Sequence, residues 1–208
     1  MGFFAHLLDL VFPPRPHEEI VRTLSADALL ELLSPALMET TRPATVALLP
    51  FCDTRVRALI HEGKYRGNAR AQELLAGVLA EYLAESGAES FGKTVLIPLP
   101  LSPARQRERG FNQCARIAEA AMRAGPLRIP IDETLLIRTK NTEHQARLSR
   151  EERLKNARGA FGAAHPADPS LSYIVLDDVI TTGATMQAAI DALLEAGAKH
   201  VIPVAIAR

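Results

Sequence analysis

Three observations on this 208-residue chain predict an α/β fold with a mostly parallel sheet flanked by helices. Short apolar runs alternate with helix-length stretches through about the last 120 residues, as in strands joined by helical crossovers. Tyr173–Leu176, a helix from Ala184 to Ala196 closed by Gly197, and Val201–Ala207 make one complete βαβ unit. A chain that is 48% apolar can build one good core, but hardly two.

Taken in order, the elements begin with an apolar stripe at Phe3, Phe4, Leu7, Leu8, Val11 and Phe12, whose i, i+3, i+4 spacing predicts a short helix packed on the body of the protein. No basic region precedes the stripe, and His6 and Asp9 interrupt it, which argues against an export signal. Ser25 to Met38 reads as a second helix capped by Ser25 and disturbed by Pro35. Residues 1–50 are thus expected to be an N-terminal helical segment, and 51–208 the main domain. Within that domain, helices are predicted over Arg55–His61, Asn68–Glu85 and Asn112–Met122, with short strands at Thr94–Ile97 and Leu135–Ile137.

Charge and cysteine content exclude several classes. With 24 basic and 24 acidic residues the chain has no global polyanion-binding field, so any charge argument must be local. Cys52 and Cys114 lie far apart and form no CxxC pair, which suits a reducing compartment and a cytoplasmic protein. No apolar run approaches the roughly 20 residues of a membrane span. The sequence leaves the oligomeric state open, a homo-oligomer included.

The most informative stretch is YIVLDDVITTGAT, Tyr173 to Thr185. Asp177 and Asp178 fall at the carboxyl end of a predicted strand, where open α/β sheets bind ligands. Two adjacent carboxylates need cations, a metal or hydroxyl donors around them, and the vicinal diol of a ribose supplies two hydroxyls. Thr181, Thr182, Gly183, Ala184 and Thr185 then lead into a helix whose free N–H groups can cradle a phosphate. No GxxxxGK is present, so this is a ribose 5-phosphate pattern and not a triphosphate-binding loop. In the competing reading the aspartates form a turn and Thr181 or Thr182 caps the helix. The stretch closely resembles the 5-phosphoribosyl-1-pyrophosphate (PRPP) signature of type I phosphoribosyltransferases.

Two further segments fit such a site. Pro98, Leu99 and Pro100 make a rigid turn after a strand, and Arg105, Arg107 and Arg109 follow as candidate pyrophosphate-side groups, since guanidinium forks match phosphate oxygens. A solvated basic surface loop is the alternative. Residues 138–158 are polar, with seven basic and three acidic side chains, and read as a hood loop carrying Arg138, Lys140, Gln145 and Arg147. Contact with single-stranded DNA competes there, although no aromatics interleave for base stacking.

The ordered set GKYRG (63–67), PLP (98–100), RGFNQ (109–113), QARLS (145–149), Arg153 with Asn156, GAF (159–161) and DDVITTGAT resembles the competence-protein F (ComF) family from about Pro50 to the C-terminus. That resemblance implies a type I phosphoribosyltransferase-like fold and an association with DNA uptake. It further implies PRPP or a ribose 5-phosphate nucleotide bound with Mg²⁺, Asp177 and Asp178 on the ribose hydroxyls as catalytic groups and perhaps metal-facing oxygens, and partners among DNA-uptake proteins or single-stranded DNA. Turnover as a nucleobase phosphoribosyltransferase and ligand sensing without turnover both remain open. Family members commonly carry an N-terminal four-cysteine zinc ribbon. Here its first pair would fall near Pro16 and Glu19, so no zinc is expected, and His17 and His61 stand too far apart in sequence to suggest a substitute.

Overall fold

The computed structural model describes residues 15–87, 93–139 and 159–208. The helix expected at the N-terminus, the hood residues Lys140, Gln145 and Arg147, and the QARLS, Arg153 and Asn156 elements lie outside the described residues. Described helices are α1 (Pro16–Thr23), α2 (Ala26–Leu30), α3 (Thr54–Arg66), α4 (Ala69–Glu85), α5 (Pro103–Arg109), α6 (Gln113–Ala124) and α7 (Ala184–Glu195). Described strands are β1 (Ala36–Met38), β2 (Thr45–Leu49), β3 (Thr94–Pro98), β4 (Leu136–Arg138), β5 (Phe161–Ala163), β6 (Ser172–Val179) and β7 (His200–Ala207).

Five strands form the central sheet in the order β1-β2-β7-β6-β3. All its pairings are parallel except β1 with β2 at one edge. Because side chains alternate across a strand, Ile174 and Leu176 of β6 and Val204 and Ile206 of β7 enter one core with α1 to α4 and α6, while Tyr173, Val175 and Ala205 enter a second core under α7. A sheet covered on both faces reads as continuous apolar runs, which is how β6 and β7 read in the sequence. This mixed α/β architecture is consistent with the phosphoribosyltransferase-like fold that the resemblance implies. Among the described residues no helix is long and apolar enough to cross a membrane.

Several expectations change in detail. The helix read from Ser25 to Met38 stops at Leu30, with the Ser25 hydroxyl accepting from the Ala28 N–H as foreseen. Beyond Pro35, Ala36–Met38 is an edge strand paired with β2, so the stretch before residue 50 contributes two strands to the sheet and is not wholly helical. Pro35 explains the switch, since the residue before a proline is disfavoured in helical conformation. β4 pairs with β5 in a separate antiparallel ribbon. Residues 103–109, read as a loop after the Pro-Leu-Pro turn, form helix α5, capped by the Ser102 hydroxyl and opened by Pro103.

Helix α3 ends at Gly67 in the left-handed region, φ 61°, where a Cβ would lie 3.2 Å from the Phe111 ring. Gly67→Ala should therefore cost about 1–2 kcal/mol, which thermal denaturation would register as a Tm lowered by roughly 2–8 °C.

Candidate functional site

The parallel register of β3 with β6 runs to Pro98 opposite Leu176, and the Leu99 N–H donates to the Leu176 carbonyl at 2.9 Å. The Pro-Leu-Pro turn thus leaves the sheet one residue before the acid pair, and a cavity opens there. Asp177 and Asp178 are the sixth and seventh residues of β6, so they belong to the strand and not to a turn. Strand alternation sends them to opposite faces. Asp178 has the parity of Ile174 and Leu176 and reaches α3, where Lys64 Nζ sits 2.8 Å from one carboxylate oxygen and 3.1 Å from the other. Asp177 shares the parity of Tyr173 and Val175 and accepts the Asp178 N–H at 2.8 Å.

A cavity of about 130 Å³ is lined by Lys64, Leu99, Pro100, Arg105, Arg109, Asn112, Gln113, Arg138, Asp177, Asp178 and Thr185. Four cations therefore meet two acids. Lys64 is the residue that sequence reasoning left without a role, although its GKYRG motif was visible. Burial works against its charge, but Asp178 outweighs that and raises its pKa. Burial, then the Asp178 charge beside it, push Asp177 up to about 7. Burial and repulsion from Arg105 lower the pKa of Arg138. Cys114 also lines the cavity, but burial and the two aspartates hold its thiol well above the usual range, so it is no nucleophile.

The other candidates fall as follows. Arg105 and Arg109 line the cavity, and Arg109 also lies over the Tyr65 ring at 5.1 Å. Arg107 is exposed on α5 and lines no part of it, because its position on the helix turns it to solvent. Pro98 is buried as the last residue of β3, so Leu99 and Pro100 carry the turn to the cavity wall. Asn112 caps α6 through the Cys114 N–H and donates to the Leu99 carbonyl at 3.1 Å, which fixes that turn. Arg138 on β4 packs over Phe161 at 5.1 Å and points into the cavity.

Thr181, Thr182, Gly183, Ala184 and Thr185 line a second cavity of about 50 Å³, which shares Asp177, Val179 and Thr185 with the first. Gly183 is the N-cap of α7, at φ 76°, and no side chain caps the helix, so neither Thr181 nor Thr182 does. A Cβ at Gly183 would fall 2.6 Å from the Thr40 hydroxyl. The first N–H groups of α7 are left for a ligand in that cavity.

Lys64→Met strands a buried carboxylate and should destabilise the chain by about 3–5 kcal/mol, whereas Lys64→Met/Asp178→Leu should recover most of that loss in urea denaturation. The pH dependence follows from Asp177. Between its ordinary 3.8 and about 7 the folded chain retains a proton that the unfolded chain has released. Stability therefore falls as pH rises through that window. Asp177→Asn should flatten this slope and leave the variant more stable than the parent at pH 8, as urea midpoints at pH 5 and 8 would report.

No family model matches the chain. It is 40% identical over 103 residues to competence protein ComFC of Bacillus subtilis, a match covering 50% of this chain and 39% of that protein. It is 34% identical over 134 residues to competence protein F of Haemophilus influenzae, covering 62% of this chain and 57% of that protein. DNA utilization protein YhgH of Salmonella typhimurium is 29% identical over 146 residues, covering 69% and 63%. The chain spans about half the length of the curated relatives it matches. The chain is thus similar to competence and DNA utilization proteins, and the motifs GKYRG, PLP, RGFNQ and DDVITTGAT, on which it resembles the competence-protein F (ComF) family, meet around one cavity.

Proposed function

We propose that this chain acts in the cytoplasm in the uptake or use of DNA, and that its site binds PRPP or a ribose 5-phosphate nucleotide together with Mg²⁺. The observation that carries the ligand assignment is the pair of cavities meeting at Asp177: a cation-lined one and an uncapped helix start, with acids between them. A ligand with a phosphate at each end and a diol in the middle matches that order. The DNA-related role comes from the relatives, whose names are competence protein and DNA utilization protein.

Magnitudes support a shared load. A helix terminus contributes about 0.3–2 kcal/mol to holding an anion, while micromolar affinity requires about 8 kcal/mol. Lys64, Arg105, Arg109 and Arg138 supply the charge-assisted bonds that the helix cannot. Carboxylate oxygens on Asp177 and Asp178 suit a hard cation that keeps several waters, so the donor set fits Mg²⁺. Bound Mg²⁺ would neutralise charge on the pyrophosphate oxygens.

The chemistry that this arrangement could perform is phosphoribosyl transfer. The bond from the anomeric carbon to pyrophosphate breaks with its electron pair on the leaving oxygen, an acceptor lone pair forms the new bond, and the acceptor loses a proton to solvent. Asp177 and Asp178 hold the ribose hydroxyls and oppose the positive charge that develops on the sugar. Arg105 and Arg109 receive the departing pyrophosphate.

Calorimetric titration with PRPP and Mg²⁺ tests the proposal. The parent chain should bind in a 1:1 ratio, and Asp177→Asn/Asp178→Asn should weaken binding at least tenfold while circular dichroism stays native. Binding with release of pyrophosphate in the presence of one nucleobase would identify the acceptor. Binding without release would assign a sensor, and no binding would remove the ligand assignment and turn attention to single-stranded DNA.

A further inference from the structure

Away from this site, α1 and α3 bring together His17, His61 and Glu62, whose side-chain donor atoms all lie within 4.8 Å of one another. The two imidazole rings meet edge to face, with centroids 4.8 Å apart. Distance in the sequence concealed this pair. Glu62 is only 2% exposed, and its one ion-pair partner among the described residues is His61 Nδ1, at 3.6 Å. That separation is too long for a hydrogen bond, and His61 Nδ1 is itself buried without a hydrogen-bond partner. It is, however, close to the roughly 3.4 Å between two ligand atoms that each sit about 2.1 Å from a tetrahedral zinc.

We infer that His17, His61 and Glu62 form a binding site for a divalent transition-metal ion of the zinc class, clipping α1 to α3. Two imidazoles and one carboxylate suit such an ion far better than Mg²⁺ or Ca²⁺. Exposed His17 completes the set by rotating toward His61 Nδ1 and Glu62, and water takes the fourth position. The ion would give the unpartnered His61 Nδ1 a ligand bond and pair with the buried Glu62 carboxylate beside it. His61 and Glu62 lie on the same helix as Lys64, so the clip also braces the helix that holds the Asp178 partner.

The test uses Co²⁺ as a spectroscopic stand-in, added to the full chain after treatment with a chelator. One equivalent should bind with visible absorption of a low-coordinate nitrogen and oxygen centre, without thiolate charge-transfer bands, and Zn²⁺ should displace it while Mg²⁺ should not. His17→Ala, at an exposed position, and the nearly isosteric Glu62→Gln should each weaken Co²⁺ binding at least about tenfold. Zn²⁺ at a hundredfold excess over the parent's Kd should raise the Tm of the parent by roughly 5–10 °C and that of His17→Ala by no more than about half as much. Absence of stoichiometric Co²⁺ binding, or equal binding by the parent and both variants, would overturn the site and leave a His–Glu pair with a neighbouring ring.

Discussion

Two carboxylates on consecutive residues at the end of a buried strand set the main constraint on this molecule. A single uncompensated charge there would cost several kcal/mol, and alternation along β6 turns the two carboxylates to opposite faces, so Lys64 bonds Asp178 and reaches Asp177 through its charge alone. Asp178 is answered from the helical side by Lys64, 114 residues away in the chain. Burial, then the Asp178 charge, push the pKa of Asp177 upward against the opposing charges of Lys64 and Arg138. The position of α3, the exit of β3 at Pro98 and the approach of β4 all follow from the need to surround these two groups.

The Lys64 contact depends in turn on how closely α3 and α6 approach. A Cβ at Gly63 would come within 2.9 Å of the Gln113 side-chain nitrogen, and one at Gly67 within 3.2 Å of the Phe111 ring. The glycines on either side of Lys64 thus admit the Phe111 and Gln113 side chains, and GKYRG interlocks with RGFNQ. Between them, Asn112 holds the Leu99 carbonyl, and Gly110, at φ 75°, turns the chain from α5 into α6. Gln113 is only 1% exposed, its amide has no hydrogen-bond partner among the described residues, and it lines the cavity, where a ligand or water would satisfy it.

The sequence revealed whatever depends on local pattern. The βαβ unit, the Ser25 cap and the placement of the acid pair at a strand end follow from periodicity and turn chemistry, and the structure contains each of them. Features that depend on distant pairing stayed hidden. Nothing within residues 36–38 announces an edge strand, because its register is set by Thr45–Ala47. Lys64 looked like any helical lysine until the fold brought Asp178 to it. Arg105, Arg107 and Arg109 share a residue type and a segment, yet the turn of α5 separates the exposed Arg107 from its two neighbours at the cavity, and only a helical reading of 103–109 makes that division.

The charges lining the cavity bear on the ligand proposed for it. Burial, and after it the charge of Arg105, lower the pKa of Arg138, while Arg109 only slightly offsets the raising effect of the aspartates on Lys64. Four cations against two acids leave the cavity wall with a net positive charge. The anion proposed above would meet that positive wall with its own charge. Asp177 lines the same cavity as those cations, which favours, for the proposed ligand, hydroxyls between the phosphate and the carboxylates over a bare polyphosphate. Arginines are fixed in advance by Tyr65 and Phe161, and the acid pair by Lys64 and its own backbone, so little ordering remains to oppose binding.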